Sequence, residues 1–182
     1  MSEGKIRGKI LVDLWAAQTP LTLQIISEKT GLTPSSTMGY LLGLIKAEYV
    51  CVPEKHQYAI TILGKQALGL PKTDKALAEK IICPVPMEND FNFYNGIDQP
   101  LDVGACSLQD FLDKIQTVDI KSIEFHMKSK DFECWINSTL GDVELSKKVA
   151  LLRVTNLSGE ELRNKLYQTI KSRYDELVNL DA

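Results

Sequence analysis

The sequence predicts a mainly α protein with a small β-hairpin, organised in two domains. Apolar residues recur at helical spacing through most of the 182 residues, whereas β-favouring runs are concentrated at residues 49–52 and 58–62. Between residues 83 and 106, proline, glycine and asparagine interrupt any long element, and helical spacing then resumes. We therefore expect a first domain over residues 1–82, an extended linker over 83–106 that packs on the second domain, and a helical domain over 107–182.

The first domain is expected to open with three helices. Apolar spacing predicts the first helix over residues 5–17. Thr22 is placed to cap the second helix, and Gly31 is placed to end it in a left-handed turn. Pro34 suits the first turn of a third helix, over residues 34–47, because the missing N–H costs nothing there. The side chains expected to face the core from this third helix are Met38, Leu41, Leu42 and Ile45.

A hairpin is expected to follow the third helix. The runs at residues 49–52 and 58–62 flank a polar, turn-prone segment, which is the pattern of two paired strands. Gly64 is expected to end the second strand. Residues 65–80 then favour a helix, with a break or kink near Pro71 because proline cannot continue a helical hydrogen-bond ladder.

Capping signals divide the second domain into helices. Ser107 with Asp110 predicts one helix start, and Asp142 is placed to cap another. Ser158 with Glu161 forms a capping box that predicts a long final helix. We expect its apolar stripe either to form a dimer contact or to pack on its own domain; the stripe consists of Leu162, Leu166, Ile170, Tyr174 and Leu177.

Charge is distributed unevenly between the two parts of the chain. Residues 1–82 hold 10 Lys or Arg against 7 Asp or Glu, which is +3; residues 83–182 hold 11 against 17, which is −6, and the total is −3. This asymmetry suggests two units with different partners. No apolar run reaches the roughly 18 residues of a membrane span, and the N-terminus lacks the apolar core of a signal peptide. We therefore expect a cytoplasmic protein that does not contact membranes.

The cysteines do not have the spacing of a disulfide framework, a redox pair or a zinc site. They are Cys51, Cys83, Cys106 and Cys134. Each is expected to be a small, buried or half-buried apolar residue in a reducing compartment. No metal and no cofactor are expected.

His126 and Asp131 together invite a catalytic interpretation, since a histidine oriented by a carboxylate is a familiar acid–base pair. No serine or cysteine nucleophile has a recognisable motif nearby. The favoured interpretation is structural: His126 bonds to backbone or to Asp131 and packs on Trp135, while Asp131 caps its helix. No enzymatic activity is expected.

The first domain resembles the winged-helix transcription factors common in archaea and bacteria. The resemblance covers about residues 5–70 and is carried by Leu32-Thr-Pro-Ser-Ser36 and by Tyr58-x-Ile-Thr61-x-x-Gly64. In that family the helix after Pro34 lies in the major groove of DNA, and the hairpin, or wing, contacts the adjacent groove. The resemblance implies an N-terminal winged helix with a small β-hairpin wing, followed by a C-terminal helical domain.

A winged helix at this position implies a transcriptional regulator that binds double-stranded DNA. Contacts are expected from the outward face of the third helix, from the N-terminus and from the wing tip. These residues are Ser35, Ser36, Thr37, Gly39, Tyr40, Lys46, Lys5, Arg7, Lys9, Lys55 and His56. DNA-reading helices usually carry arginine, glutamine or asparagine, and this one offers only Lys46. The alternative is a protein–protein adaptor that uses the winged helix for docking without binding DNA.

The second domain resembles a small helical domain of unknown function that recurs in archaeal and some bacterial proteins. The resemblance covers about residues 84–175, and its most specific part is Phe125-His126 with Asp131-Phe132-x-x-Trp135. Members often place a basic residue and glycine where this chain has Ser129-Lys130. The resemblance implies no activity. We expect residues 107–182 to form a homodimer contact or to bind a protein partner, in a regulator of archaeal type.

Overall fold

The computed structural model describes residues 3–17 and 19–181, and it divides the chain into two compact units, Met1–Lys72 and Thr73–Ala182. Helices make up most of the described residues of both units, which confirms the prediction of a mainly α protein. The division falls after residue 72 rather than after residue 82, because residues 75–82 form a helix that packs within the second unit.

The described part of the first unit contains four helices and one antiparallel sheet of three strands. The elements are α1 (Glu3–Ala16), β1 (Leu21–Thr22), α2 (Leu23–Thr30), α3 (Pro34–Lys46), β2 (Val50–Cys51), β3 (Gln57–Ile60) and α4 (Ile62–Ala67). The strand order is β1–β3–β2, with Leu21 opposite Tyr58 and Val50 opposite Ile60. The two-residue strand β1 has no counterpart in the sequence prediction, which placed only the β2–β3 hairpin.

Local capping explains the ends of the first helices. The backbone N–H of Ile25 donates to the Thr22 hydroxyl, and Gly31 ends α2 with a left-handed φ of 72°. Pro34 occupies the first turn of α3, as predicted, and Thr33 caps that helix by accepting the N–H of Ser36. Each of these caps joins residues about three positions apart, so it can be predicted from the sequence without knowing the tertiary structure.

Gly64 does not end a strand, contrary to the prediction. Strand β3 ends at Ile60, and Thr61 then caps α4 by accepting the N–H of Gly64 at 3.0 Å. Gly64 is a buried residue of that helix. Helix α4 ends at Ala67, so the predicted helix over residues 65–80 is interrupted around Pro71.

Helix α3 faces the core with three of the four predicted residues, because Leu41 is buried and Met38 and Ile45 pack partly buried against the core. The buried side chains are Thr37, Leu41 and Leu44, whereas Leu42 is 59% exposed. The hydroxyl of the buried Thr37 is hydrogen-bonded, because it donates to the Thr33 carbonyl at 3.0 Å and accepts from Ser27 Oγ at 3.1 Å. The apolar core around it consists of Ile6, Ile10, Leu11, Leu14, Leu21, Ile26, Leu41, Leu44, Val50 and Tyr58.

The second unit consists of a two-stranded hairpin and several helices. Its elements are α5 (Lys75–Ile82), a 3₁₀ turn (Met87–Asn89), β4 (Phe91–Tyr94), β5 (Pro100–Ala105), α6 (Leu108–Thr117), α7 (Ile120–Ser129), α8 (Asp131–Trp135), a π-helical turn (Ile136–Leu140), α9 (Val143–Arg153) and α10 (Gly159–Asp181). Ser107 and Asp142 cap α6 and α9 through their side chains, as predicted. Throughout the described ranges, no helix combines the length and the apolar character needed to cross a membrane.

The segment over residues 83–106 forms the antiparallel β4–β5 hairpin, with Phe91 opposite Ala105 and an irregularity between Asn92 and Tyr94. Phe91 and Phe93 are buried in the core of the second unit. This alternation places the aromatic side chains of β4 on the inner face, while Asn92 between them is exposed. The segment is therefore part of the second unit's packing.

The apolar stripe of α10 packs on its own unit. Leu162, Leu166, Ile170 and Leu177 are buried in the core of the second unit, and Tyr174 packs against it half-buried. Of the two interpretations of this stripe, the structure shows the intramolecular one. The stripe is therefore not an exposed dimer surface.

Candidate nucleic-acid interface

Helix α3 presents one stripe of residues to solvent. Ser35, Gly39, Leu42 and Lys46 are exposed, and their spacing of four, three and four places them on one side of the helix. Ser36 beside them is also exposed. The stripe lies opposite the buried residues of α3. It offers small and hydroxyl-bearing residues, one exposed leucine and one cation near the helix end.

A second cation reaches α3 from α1. The Arg7 guanidinium donates to Glu3 Oε1 at 2.6 Å, and its Nη2 atom lies 3.7 Å from the position that a Cβ on Gly43 would occupy. Arg7 thus lies beside α3, at ordinary contact distance from position 43. An open groove results, lined by Glu3, Arg7, Leu32, Ser36, Gly39 and Tyr40. It brings together four of the predicted contact residues.

Thr37 is the predicted contact residue that the structure contradicts most directly. It was expected on the outward face of α3, but it is fully buried and both of its hydrogen bonds are internal. The physical reason is that α3 is turned so that Thr37, rather than Leu42, faces the core. Thr37 is therefore a packing residue and does not contact a ligand on this face.

Lys9 is exposed but is engaged at the end of α2. Its ammonium donates to the backbone carbonyl of Lys29 at 2.6 Å, which satisfies an acceptor at the helix end. Burial raises the pKa of the nearby Asp13 carboxyl, and the charges of Lys29 and Lys9 oppose this shift. Lys9 thus has a structural partner, which weakens its assignment as a phosphate contact.

The remaining predicted contacts are exposed but lie outside the groove. Lys55 and His56 occupy the turn between β2 and β3, where His56 has a left-handed φ of 64°. The same turn contains Glu54, which accepts a hydrogen bond from the Gln57 side chain at 3.1 Å. Lys5 is exposed on α1. The β2–β3 turn therefore contains one acidic and one basic side chain beside the histidine.

His126 in the second unit uses both of its ring nitrogens. The backbone N–H of Tyr94 donates to Nε2 at 2.8 Å, so Nε2 is unprotonated and Nδ1 carries the proton. Nδ1 then donates to Asp131 Oδ2 at 2.7 Å. Asp131 is the first residue of α8 and not its N-cap, a position held by Lys130 with a left-handed φ of 66°. The predicted capping role of Asp131 is therefore wrong, because its carboxylate turns to His126.

The surroundings of His126 are aromatic. The ring is 3% exposed and lies 4.9 Å from the Phe91 ring and 5.3 Å from the Phe132 ring, measured between centroids. It links α7, β4 and α8 through its two hydrogen bonds. With both nitrogens engaged and the ring enclosed, this geometry favours a structural role for His126.

The stability of the second unit is expected to fall as pH drops below about 6.5. Burial lowers the pKa of His126 below its ordinary value of 6.5, and the hydrogen bond and charge of Asp131 only partly offset this. The folded state therefore binds fewer protons than the unfolded state in this window, so acid favours unfolding. Urea titrations between about pH 7.5 and 5, followed by Trp135 fluorescence in a Trp15→Phe background, measure the effect.

Two variants test whether His126 causes this loss. His126→Gln should flatten the pH dependence across this range, although it lowers stability at neutral pH. His56→Gln, which removes the exposed histidine of the β2–β3 turn, should preserve the pH dependence. An unchanged slope in His126→Gln would show that other groups are responsible.

The cysteines are more exposed than predicted. Cys51, Cys83 and Cys134 are exposed and Cys106 is half-buried, and all four are free thiols. The first three lie at a strand end, at the end of α5 and on the outer side of α8, where no core covers them. In the part of the chain that the structure describes, no group of three or more His, Cys, Asp or Glu side chains is arranged to hold a metal ion.

Comparison with known proteins gives one family match. Residues 88–181 match the model of a family described as "Family of unknown function (DUF5752)", which is 94 of the 182 residues. Searches of the curated proteins and of the solved structures return no match. The residues that line the groove beside α3 precede residue 88, so the family model does not cover them, and their role is inferred from geometry alone.

Proposed function

The chain belongs to the Family of unknown function (DUF5752), whose description names no activity, and we propose that its first unit is a winged helix that binds double-stranded DNA. In this proposal α3 approaches the major groove and the β2–β3 turn forms the wing. The observation that carries it is the exposed, carboxylate-free stripe of α3, which has Arg7 beside it and Lys46 near its end.

The order of elements supports this proposal. Helices α1, α2 and α3 are followed by the β2–β3 hairpin, and β1 completes a small antiparallel sheet. Gly31 and the Thr33-Pro34 cap make a short, sharp turn between α2 and α3. That turn leaves the N-terminal half of α3 exposed, where a helix of this motif meets the edges of bases.

Charge supports binding to phosphates more than reading of bases. Residues 1–72 hold 8 Lys or Arg against 5 Asp or Glu, a balance of +3. The exposed stripe carries no arginine, asparagine or glutamine, the side chains that make paired hydrogen bonds to base edges. Ser35 and Ser36 can donate to phosphate oxygens with little selectivity. We therefore expect binding that depends strongly on salt and weakly on sequence.

Removal of Arg7 and Lys46 tests the proposal directly. In fluorescence anisotropy of the full chain with a random-sequence duplex, affinity should fall steeply from about 50 to 200 mM salt. The double variant Arg7→Gln/Lys46→Gln should bind about tenfold more weakly, and its log–log salt slope should be smaller by about 2.

A charge-matched control separates the α3 face from a general effect of charge. Lys121→Gln/Lys165→Gln removes two exposed cations from the second unit and should leave the affinity nearly unchanged. An equal loss in both double variants would contradict an interface at α3. Absence of any salt-sensitive binding by the folded full chain would contradict DNA binding itself.

Protein docking through the same face is the second candidate. The observation that favours it is Leu42, which is 59% exposed between Gly39 and Lys46. A docking surface would use this side chain as an apolar anchor, whereas phosphate binding would not. Leu42→Ser should therefore leave duplex affinity within about twofold if DNA is the partner. A folded chain without duplex binding would favour the adaptor function.

A further inference from the structure

An ion pair lies in the groove beside α3. Glu3 and Arg7 stand one helical turn apart on α1, and Glu3 Oε1 accepts from Arg7 Nη2 at 2.6 Å. Both side chains line the groove, and they are 66% and 49% exposed, respectively. Among the described residues that line this groove, Arg7 is the only basic one and Glu3 the only acidic one. The cation that this lining supplies is therefore already paired with an anion.

The Glu3 carboxylate occupies a position that suits a phosphate oxygen. A guanidinium donates to carboxylate and phosphate oxygens through the same N–H groups and with similar geometry. Ser36 of α3 is exposed in the same groove, and its Oγ accepts from the Thr33 hydroxyl at 3.0 Å, which leaves its own proton to donate. Arg7 and Ser36 therefore offer donors to one anion from two helices, and Glu3 holds the Arg7 part of that position.

Two effects of Glu3 oppose phosphate binding in this groove. An exposed ion pair four residues apart on a helix is weak, so a phosphate can displace the carboxylate from Arg7 at a small cost. The larger effect is repulsion, because the displaced carboxylate remains on the first turn of α1, close to the incoming phosphate. Its negative charge offsets one cation of the interface and so reduces the log–log salt slope by about 1.

We infer that Glu3 limits the affinity of the first unit for DNA by occupying Arg7 in the free protein, and that a DNA phosphate displaces it on binding. This inference rests on the proposed function and concerns the regulation of the same site. Glu3 was absent from the predicted contacts because it acts against binding, and a search for cations passes over it. The chain then binds duplexes more weakly than its own cations allow.

Glu3→Gln in the full chain tests this inference by fluorescence anisotropy with a random-sequence duplex at about 100 mM salt. The variant should bind about five- to tenfold more tightly than the parent, and its log–log salt slope should be steeper by about 1. Glutamine preserves the length of the side chain and has a similar helix propensity, and far-ultraviolet circular dichroism verifies that the fold is unchanged.

Glu28→Gln is the matched control, since it makes the same change in net charge within the first unit. Glu28 is exposed on α2, accepts a hydrogen bond from the Gln24 side chain at 2.8 Å and does not line the groove. The affinity of this control should stay within about twofold of the parent. An equal gain in Glu28→Gln and Glu3→Gln would overturn the inference, because net charge would then explain both.

An Arg7→Gln background shows whether Glu3 acts through Arg7. The gain from Glu3→Gln should be about half as large there, because repulsion remains but no guanidinium is released. Equal gains in both backgrounds, or no gain in Glu3→Gln while the parent binds the duplex, would overturn the inference and leave DNA binding in place. Absence of salt-sensitive binding by both the folded parent and folded Glu3→Gln would overturn the inference together with the proposed function.

Discussion

Replacing Arg173 with methionine is expected to lower the free energy of unfolding of the second unit by about 3–5 kcal/mol, because it leaves buried carboxylates without their cation. The chain has two tryptophans, Trp15 in the first unit and Trp135 in the second. Urea titration followed by Trp135 fluorescence in a Trp15→Phe background therefore measures this loss.

Arg173 is the centre of a buried ion network. Its side chain is 1% exposed, and Nε and Nη2 donate to the two carboxylate oxygens of Asp142 at 2.8 and 3.1 Å. Nη1 donates to Glu144 at 3.2 Å and to Glu176 at 3.0 Å. Nη2 also donates to the Thr73 hydroxyl at 3.0 Å. One side chain thus ties α10 to the start of α9 and to the segment before α5.

The charges of this network explain the size of the expected effect. Burial lowers the pKa of Arg173, but the charge and hydrogen bonds of Asp142, with the charges of Glu144 and Glu176, outweigh burial and raise that pKa above its ordinary value. Lys148 lies 3.7 Å from Glu144 and supplies a second cation. Without Arg173, Asp142 and Glu144 would remain buried beside one lysine, and their desolvation would be poorly compensated.

Lys171→Gln is the matched control on the same helix. Lys171 pairs with Asp175 at 2.7 Å, but both side chains are exposed, and exposed ion pairs contribute little to stability. Its denaturation midpoint should stay close to that of the parent. Equal midpoints for Arg173→Met and Lys171→Gln would show that the buried network does not stabilise the second unit.

Replacing Gly64 with alanine is expected to destabilise the first unit by about 3 kcal/mol, because the added methyl has no space. An ideal Cβ at this position would lie 2.3 Å from the Tyr49 carbonyl oxygen and 2.7 Å from Ile60 Cγ1. That carbonyl also accepts the Thr61 N–H at 3.0 Å, so it cannot move aside without losing a hydrogen bond. Urea titration followed by Trp15 fluorescence in a Trp135→Phe background measures the change.

Gly8→Ala tests whether this cost is specific to position 64. Gly8 lies inside α1, and a Cβ there would meet no atom within 4 Å. Alanine should therefore stabilise that helix by about 1 kcal/mol relative to glycine. A Gly64→Ala protein as stable as the parent would show that α4 moves away from the hairpin at little cost.

Helix boundaries were the most predictable part of this fold. Thr22, Ser107 and Asp142 cap their helices through residues three positions later, and Gly31 ends α2 in the left-handed region. Each signal acts within about one helical turn, so it is readable without knowing the tertiary structure. The prediction that Asp131 caps α8 was wrong because its carboxylate hydrogen-bonds to the buried His126 instead.

The candidate site was less predictable. Which face of α3 is buried depends on Ser27 of α2, which makes Thr37 acceptable in the core. Arg7 of α1 lies near Gly43 of α3 and lines a groove with Gly39, a contact between helices distant in the chain. Neither relation has a local sequence pattern. Apolar spacing alone therefore predicted that Leu42 is buried and Thr37 is exposed, the reverse of what the structure shows.

The sequence by itself determined that this protein is mainly helical, where most of its helices start, and that its charge differs between its two parts. Those properties follow from local capping, periodicity and composition. Only the tertiary structure decided that Thr37 is buried and Leu42 exposed, that the α10 stripe packs inside its own unit, and that Arg173 is buried among carboxylates. The physical reason is that burial is a property of neighbours, and these neighbours come from segments distant in the chain.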